Sequence, residues 1–245
     1  MERLDDLLLE LFLDCFHGYG SFAAPIWYFT LQDGGGKSID EIQRRLSSWD
    51  VRGRLELEDL PEFHSAIREE KWIAKLQSTW RPLIRIQHSI EGNDIFDQPA
   101  QSQNSRLLQY QAERWGRPRG GNSIMALLPL SSPSKGSWLY PEHTAIPQLA
   151  SRDSYWSHYL SRRTVSVKQK IELHQPRVVV LCGVGSESVQ VWNAIAHEVF
   201  SAKGDPQIVE RDGTNFVLMR HPVAHGVSNN YFDDIGRQIR SRLAV

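Results

Sequence analysis

Three shortages in the sequence exclude whole classes of protein. Its 245 residues include only two cysteines, Cys15 and Cys182, too few for a disulfide framework, a zinc knuckle or a four-cysteine iron–sulfur site. The most apolar stretch near the start, residues 7–12, contains Glu10 and is too short and too charged for a signal peptide or a membrane span. We therefore expect a cytoplasmic protein with no membrane partner.

An excess of basic charge is also missing. The 28 Lys and Arg residues are balanced by 29 Asp and Glu residues, which leaves a formal net charge of −1. A chain coated with basic side chains for binding nucleic acid is thereby excluded, so any DNA contact must come from local patches. Apolar residues make up 40% of the chain, an ordinary share for a globular protein, and the length fits one large domain or two small ones.

Four apolar runs of strand length alternate with helical patterns along the chain. They span residues 24–31, 123–130, 177–182 and 215–219. Because strands that alternate with helices form parallel sheets covered on both faces, we predict an α/β fold. Its form would be a three-layer α/β/α sandwich with a central parallel four-stranded sheet. All four strand exits carry polar or glycine-rich loops, and ligands bind such sheets at that edge.

Glycine-rich loops follow the first and third strands, and both fail as nucleotide-binding motifs. If the glycines before Lys37 formed a phosphate-binding loop, its first glycine would fall on Leu31. In the second loop, which begins at Gly183, the third glycine of a dinucleotide fingerprint would fall on Ser188. We therefore expect no nucleotide cofactor. The pair Ser38-x-x-Glu41 instead predicts the start of a helix with a capping box.

Taken together, the strand exits resemble those of the uracil-DNA glycosylase superfamily. Enzymes of that family carry a Gln-Asp-Pro-Tyr-type loop after the first strand, matched here by Gln32-Asp33-Gly34-Gly35. They carry a His-Pro motif after the last strand, matched by His221-Pro222, and a glycine–serine loop that grips DNA phosphates, matched by residues 183–186. The resemblance covers residues 24–240 and implies one monomeric glycosylase-like domain over residues 1–245.

The resemblance also implies a reaction. Such an enzyme takes single-stranded DNA or flips a base out of the duplex, hydrolyses the N-glycosidic bond and leaves an abasic site. An anionic Asp33 would stabilise the sugar cation and orient the attacking water, while a hydrogen bond from His221 would stabilise the departing base anion. Neither a metal nor an organic cofactor is implied. The expected DNA contacts are Gly183, Gly185, Ser186, Ser134 and Arg220, with Arg117, Arg119, Arg162 and Arg163 as further candidates.

Two departures from the family pattern concern the base pocket. The family's tyrosine, which closes the C5 side of the pyrimidine, is replaced by Gly35, and the proline before it by Gly34. The asparagine that reads the pyrimidine edge is replaced by Ala126 if the chains are aligned on Pro129-Leu130. We therefore expect a wider pocket. Its expected residues are Gln32, Gly34, Gly35, Ala126, Pro129, Ser131 and Ser132.

A wider pocket favours a base larger than uracil, such as a C5-substituted cytosine, including glycosylated hydroxymethylcytosine of phage DNA. The protein would then serve in antiviral defence. Two alternatives stay open: a repair glycosylase for uracil or deaminated bases, and a catalytically silent member of the superfamily that binds DNA. Each key residue also has a simpler explanation, because Asp33 before glycine is ordinary turn chemistry and His221 would cap a strand end.

Overall fold

The computed structural model of the protein describes residues 3–32, 34–93, 98–133, 136–197, 200–201 and 204–244. Within these residues the chain forms one seven-stranded sheet. Its strands, in chain order, are β1 (Gly18–Tyr19), β2 (Ile26–Gln32), β3 (Leu57–Glu58), β4 (Asn122–Leu128), β5 (Val178–Cys182), β6 (Gln207–Arg211) and β7 (Thr214–Met219). Their order across the sheet is β3-β1-β4-β2-β5-β7-β6.

The helices lie before, between and after these strands. In chain order they are α1 (Asp6–Cys15), α2 (Ile39–Val51), α3 (Leu60–Ala66), α4 (Glu70–Ile73), α5 (Trp80–Ile90), α6 (Ala100–Glu113), α7 (Arg152–His174), α8 (Ser186–Ile195) and α9 (Asn229–Leu243). Two short 3-10 turns, Tyr140–Glu142 and Pro147–Leu149, precede α7.

Helices cover both faces of the sheet, which confirms the α/β class. Strand side chains alternate between two apolar clusters, so that Tyr28 and Val180 face one while Trp27 and Val179 face the other. The first cluster includes side chains of α1, α2, α5 and α9, and the second includes those of α8 and the C-terminal half of α7. No helix in the described part of the chain is long and apolar enough to cross a membrane.

The prediction of a four-stranded parallel sheet is wrong in its extent, because the sheet is larger and mixed. Its four strands are present as β4, β2, β5 and β7, and each runs parallel to the next. Beyond them, β1 pairs antiparallel with β4, β6 pairs antiparallel with β7, and β3 adds to β1. The outer strands contain no apolar run that would predict them. β1 and β3 have two residues each, and the side chains of β6 are partly buried or exposed.

The strand order places a topological switch point between β2 and β5. From β2 the chain crosses to β4 on one side, and it then returns to build β5 and β7 on the other side. In open α/β sheets, ligands bind in the crevice that forms at such a point. We call the loops that follow β4, β2, β5 and β7 the carboxyl edge.

A buried arginine joins the first helix to the rest of the fold. Arg163 of α7 is 1% exposed, and its Nε donates to the carbonyl of Leu127 at 2.9 Å. The other guanidinium nitrogens donate to carbonyls at the end of α1, those of Leu13, Asp14 and Phe16. Burial lowers the pKa of Arg163 to about 10, so it is a cation at neutral pH. The expectation that Arg163 contacts DNA is wrong, because its charge is enclosed by the protein.

His17 lies close to this arginine and is also buried. Its ring Nδ1 lies 2.7 Å from the carbonyl oxygen of Cys15, and its Nε2 lies 3.3 Å from the hydroxyl of Ser166. Burial, followed by the positive charge of Arg163, lowers the pKa of His17 to about 3. His17 is therefore neutral in the folded protein at neutral and mildly acidic pH.

Candidate active site

The carboxyl edge carries most of the predicted site. Two predicted residues, Asp33 and Ser134, lie outside the described residues, and their roles stay predictions. Gln32 is the last residue of β2, so position 33 follows that strand directly. Since neighbouring strands lie roughly 4.8 Å apart, the ends of β2 and β7, two strands apart, are separated by about 10 Å. The loops that follow these two strands therefore lie at the same edge of the sheet, with the loop after β5 between them.

Glu41 shapes the glycine loop after β2. Its carboxylate accepts hydrogen bonds from the amides of Gly36 at 2.7 Å and Lys37 at 2.9 Å. Its own amide donates to the hydroxyl of Ser38, which confirms the predicted start of α2. A full capping box also requires the Glu41 carboxylate to accept a hydrogen bond from the amide of Ser38. This part of the prediction is wrong, because the carboxylate accepts from the loop amides of Gly36 and Lys37 instead. A nearly buried anion thus fixes the chain just after the Asp33 position.

The turn itself requires glycine at position 35. Gly35 has a φ of +103°, in the left-handed region, and a Cβ added there would lie 2.8 Å from Glu41 Oε1. This conformation explains why no tyrosine stands at position 35. The glycine therefore no longer argues by itself for an open C5 side. Gly34 differs, because a Cβ added there would have no heavy atom of the described residues within 4 Å.

Gln32 connects three parts of the carboxyl edge. Its Nε2 donates to the carbonyl of Leu130 at 2.8 Å. Its Oε1 accepts from the guanidinium of Arg152, at 3.2 Å from Nε and 2.6 Å from Nη2. Both ends of the amide are therefore occupied by protein groups. In this arrangement Gln32 ties the exits of β2 and β4 to the start of α7, and it would have to leave these partners to read a base.

Among the predicted pocket residues after β4, Ser131 carries an unpaired buried hydroxyl. It is 4% exposed, and its Oγ has no hydrogen-bond partner within the described residues. A Cβ on Gly35 would lie 3.9 Å from the Cβ of Ser131, so the two loops meet here. The hydroxyl of Ser132 is directed elsewhere and donates to the carbonyl of Ser137 at 2.5 Å. Pro129 is buried at the end of β4.

Ala126 lies inside β4 and not at its exit. It pairs with Thr30 of β2, two positions before the strand ends at Leu128. Ala126 shares the face of Leu128, because side chains alternate along a strand. Both Ala126 and Thr30 are only partly buried, although their strands lie in the middle of the sheet. Around Ala126 and Thr30, next to the loops of the carboxyl edge, this face of the sheet is therefore not fully covered by other parts of the protein.

His221 follows β7 and is partly buried. Burial lowers the pKa of His221 below its ordinary value, so the ring is neutral at pH 7. Its Nδ1 lies 3.4 Å from the amide of Val223, which donates to it. This contact favours the tautomer that carries the proton on Nε2. A neutral imidazole of this kind offers one N–H donor to a ligand in the crevice.

Arg220 precedes His221 and is held by two neighbours. Its Nε pairs with the carboxylate of Asp205, and its backbone amide donates to the hydroxyl of Tyr231 at 3.0 Å. That hydroxyl in turn donates to Asp205. The charge of Arg220 is thus already neutralised, and a DNA phosphate would have to compete with Asp205 for it.

The loop after β5 leaves helix amides open to solvent. The amide of Gly183 donates to the carbonyl of Met219 at 2.8 Å, which joins the ends of β5 and β7. Gly185 and Ser186 are exposed, and no side chain in the described residues caps the start of α8. Free amides at a helix start attract anions, although Glu187 in the first turn opposes this effect.

Sequence reasoning missed two residues that hold the site together, Arg152 and Tyr231. Neither stands in a recognisable motif, and their partners Gln32 and Arg220 lie 120 and 11 positions away. It also gave no indication of an apolar groove of about 600 Å³ between α3, α4 and α6. That groove shares no lining residue with the carboxyl edge, so it is separate from the candidate active site. It is lined by Pro61, Glu70, Ile73, Ala74, Ser105, Leu108, Gln109 and Ala112.

Comparisons with protein-family models, with characterised proteins and with solved structures found no match for the chain. The resemblance to the uracil-DNA glycosylase superfamily therefore rests on the motifs at the strand exits. Among the described residues, no group of three or more His, Cys, Asp or Glu side chains is arranged to hold a metal ion.

Proposed function

We propose that the protein is a DNA glycosylase that hydrolyses the N-glycosidic bond of a flipped-out base and leaves an abasic site. The observation that carries the proposal is His221, a neutral imidazole with its proton favoured on Nε2, beside the switch point of the sheet. Position 33 follows β2 at the same edge, where the resemblance calls for an aspartate. One acid and one donor on facing loops are sufficient for this chemistry.

The proposed reaction divides its charges between these two groups. The bond from C1′ to the base nitrogen breaks with its electron pair on the base, which leaves positive charge on the sugar. Asp33 stabilises that cation and takes a proton from the water whose oxygen bonds to C1′. His221 donates a hydrogen bond from Nε2 to the base anion, which later takes a proton from solvent. The cost of losing either group is typically about 10²–10³ in rate.

The base pocket in this proposal lies above the partly uncovered strands β2 and β4. Thr30 and Ala126 form its floor, and the unpaired hydroxyl of Ser131 offers both a donor and an acceptor to a base edge. Beside Gly34 there is open space for a substituent. We therefore propose a C5-substituted cytosine of phage DNA as the substrate class, with a role in antiviral defence.

A repair enzyme for uracil or deaminated bases is the second candidate. It is favoured by the turn at Gly35, whose left-handed conformation accounts for the missing tyrosine without any change of substrate. Another side chain would then have to close the C5 side of the pocket.

Turnover on defined oligonucleotides tests the proposal. We would incubate the protein with strands that contain uracil, 5-hydroxymethylcytosine or its glucosylated form, and detect abasic sites by alkaline cleavage. Asp33→Asn and His221→Gln should each lower the rate about 10²–10³-fold. His225→Gln is the matched control, because His225 is an exposed histidine in the same loop as His221. If DNA binds but no base is released from any strand, the catalytically silent alternative is correct.

A further inference from the structure

We propose that Arg152 binds a phosphodiester of the DNA strand on the β4 side of the crevice. The inference rests on the proposed function and adds to it a binding residue outside every motif. Arg152 is the first residue of α7 and is partly exposed at the carboxyl edge. Its guanidinium donates twice to Gln32 Oε1, and its Cζ lies 5.1 Å from the centre of the Trp156 ring.

Among the described residues, the guanidinium of Arg152 is ordered by neighbours that carry no charge. Gln32 and Trp156 are uncharged, and no carboxylate in the described residues lies within ion-pair distance of Arg152. Two other arginines differ, since Arg220 pairs with Asp205 and Arg162 of the same helix pairs with Asp14. Within the described part of the chain, no carboxylate neutralises Arg152 and its Nη1 has no acceptor, so the guanidinium can bind an anionic ligand.

The side chain is also held in one orientation before any ligand arrives. Gln32, which accepts from Arg152, is itself fixed by its bond to the carbonyl of Leu130. A planar guanidinium that is held on one edge presents its other edge as a fork, and this fork matches two oxygens of a phosphate. Pre-ordering reduces the entropy that binding would otherwise cost.

The position of Arg152 fits a strand that crosses the carboxyl edge. Its partner Gln32 is tied to the exit of β4, on one side of β2, whereas the loop after β5 lies on the other side. Each nucleotide in a DNA strand has one phosphate before it and one after it. Arg152 and the amides of residues 183–186 therefore lie on either side of the end of β2, as two phosphate contacts on either side of a target nucleotide would.

Salt-dependent binding of a fluorescein-labelled single-stranded oligonucleotide tests this assignment. Loss of one phosphate contact reduces the slope of log K against log salt by about 0.7 for single strands. Arg152→Gln should show this reduction and weaken binding roughly tenfold at low salt. Arg152→Lys should keep the slope and lose part of the affinity. Arg211→Gln, the same change at an exposed arginine that pairs with Asp212 beside the start of β7, should behave as wild type. Thermal melting checks that each variant is folded.

The outcomes separate this inference from the proposed function. If wild type binds and releases a base while Arg152→Gln keeps the wild-type slope and affinity, Arg152 is not a phosphate ligand and the glycosylase proposal stands. If wild type binds no DNA even at low salt, both proposals are wrong. If the slope falls for Arg152→Gln and not for the control variant, Arg152 binds the DNA backbone.

Discussion

Lowering the pH from 7 to 5 should cost the protein about 2 kcal/mol of stability through His17 alone. In the unfolded chain the ring has the ordinary pKa of 6.5, whereas burial and the charge of Arg163 lower it to about 3 in the folded protein. Between these two values the unfolded state binds more protons, so the free energy of unfolding falls as the pH falls through this window. The contribution of His17 to the free energy of unfolding is fully present above pH 6.5 and is lost as the pH falls toward 3.

The size of the effect at pH 5 follows from the unfolded pKa. Each pH unit below that value costs about 1.4 kcal/mol, and pH 5 lies about one and a half units below it.

Urea denaturation at pH 7, 6 and 5 measures this contribution. His17→Asn replaces the ring by an amide that does not titrate, so the variant should lose about 2 kcal/mol less than wild type between pH 7 and 5. Groups that titrate in both proteins cancel in the difference. The control His158→Asn removes an exposed histidine and should leave the wild-type slope unchanged. Parallel curves for wild type and His17→Asn would refute the reasoning.

Two further changes test the described contacts, and both are measured by urea denaturation at pH 7. Arg163→Met should destabilise the protein by about 3 kcal/mol or more, because several buried carbonyls lose their donor and each unsatisfied acceptor costs about 1–3 kcal/mol. A loss under about 1 kcal/mol would contradict the role given to Arg163. Gly35→Ala should cost about 1–3 kcal/mol because of its left-handed φ and the contact with Glu41. Gly34→Ala is the matched control, with an expected change within about 0.5 kcal/mol, and equal effects at the two positions would contradict the account of the turn.

Sequence reasoning located the four central strands because each is a continuous apolar run buried on both faces. β5, for example, is buried at all five positions, and its bounds differ from the predicted 177–182 by one residue. The outer strands escaped prediction for the opposite reason. β1 has only two residues, which is too short for a detectable periodicity in the sequence. It is a strand because its backbone pairs with β3 and β4.

The candidate site divides in a similar way. Its place at the carboxyl edge follows from the order of strands and loops, and His221 is found where the last strand ends. The contacts that fix it could not be predicted, because they join distant segments. Arg152 reaches Gln32 across 120 positions. Gly35 lies in a turn that is held by the carboxylate of Glu41, whereas the sequence pattern predicts that this carboxylate caps the start of α2.

The anchoring of α1 by Arg163 bears on the order in which the protein is made. A ribosome releases α1 before α7, and the group that satisfies the terminal carbonyls of α1 lies 150 positions downstream of Leu13. The same guanidinium also binds the carbonyl of Leu127, so α1 and β4 are secured together. During translation the first helix must therefore wait, without its partner, until most of the chain has emerged. The chain of α1 is therefore complete long before the side chain that secures it has been synthesised.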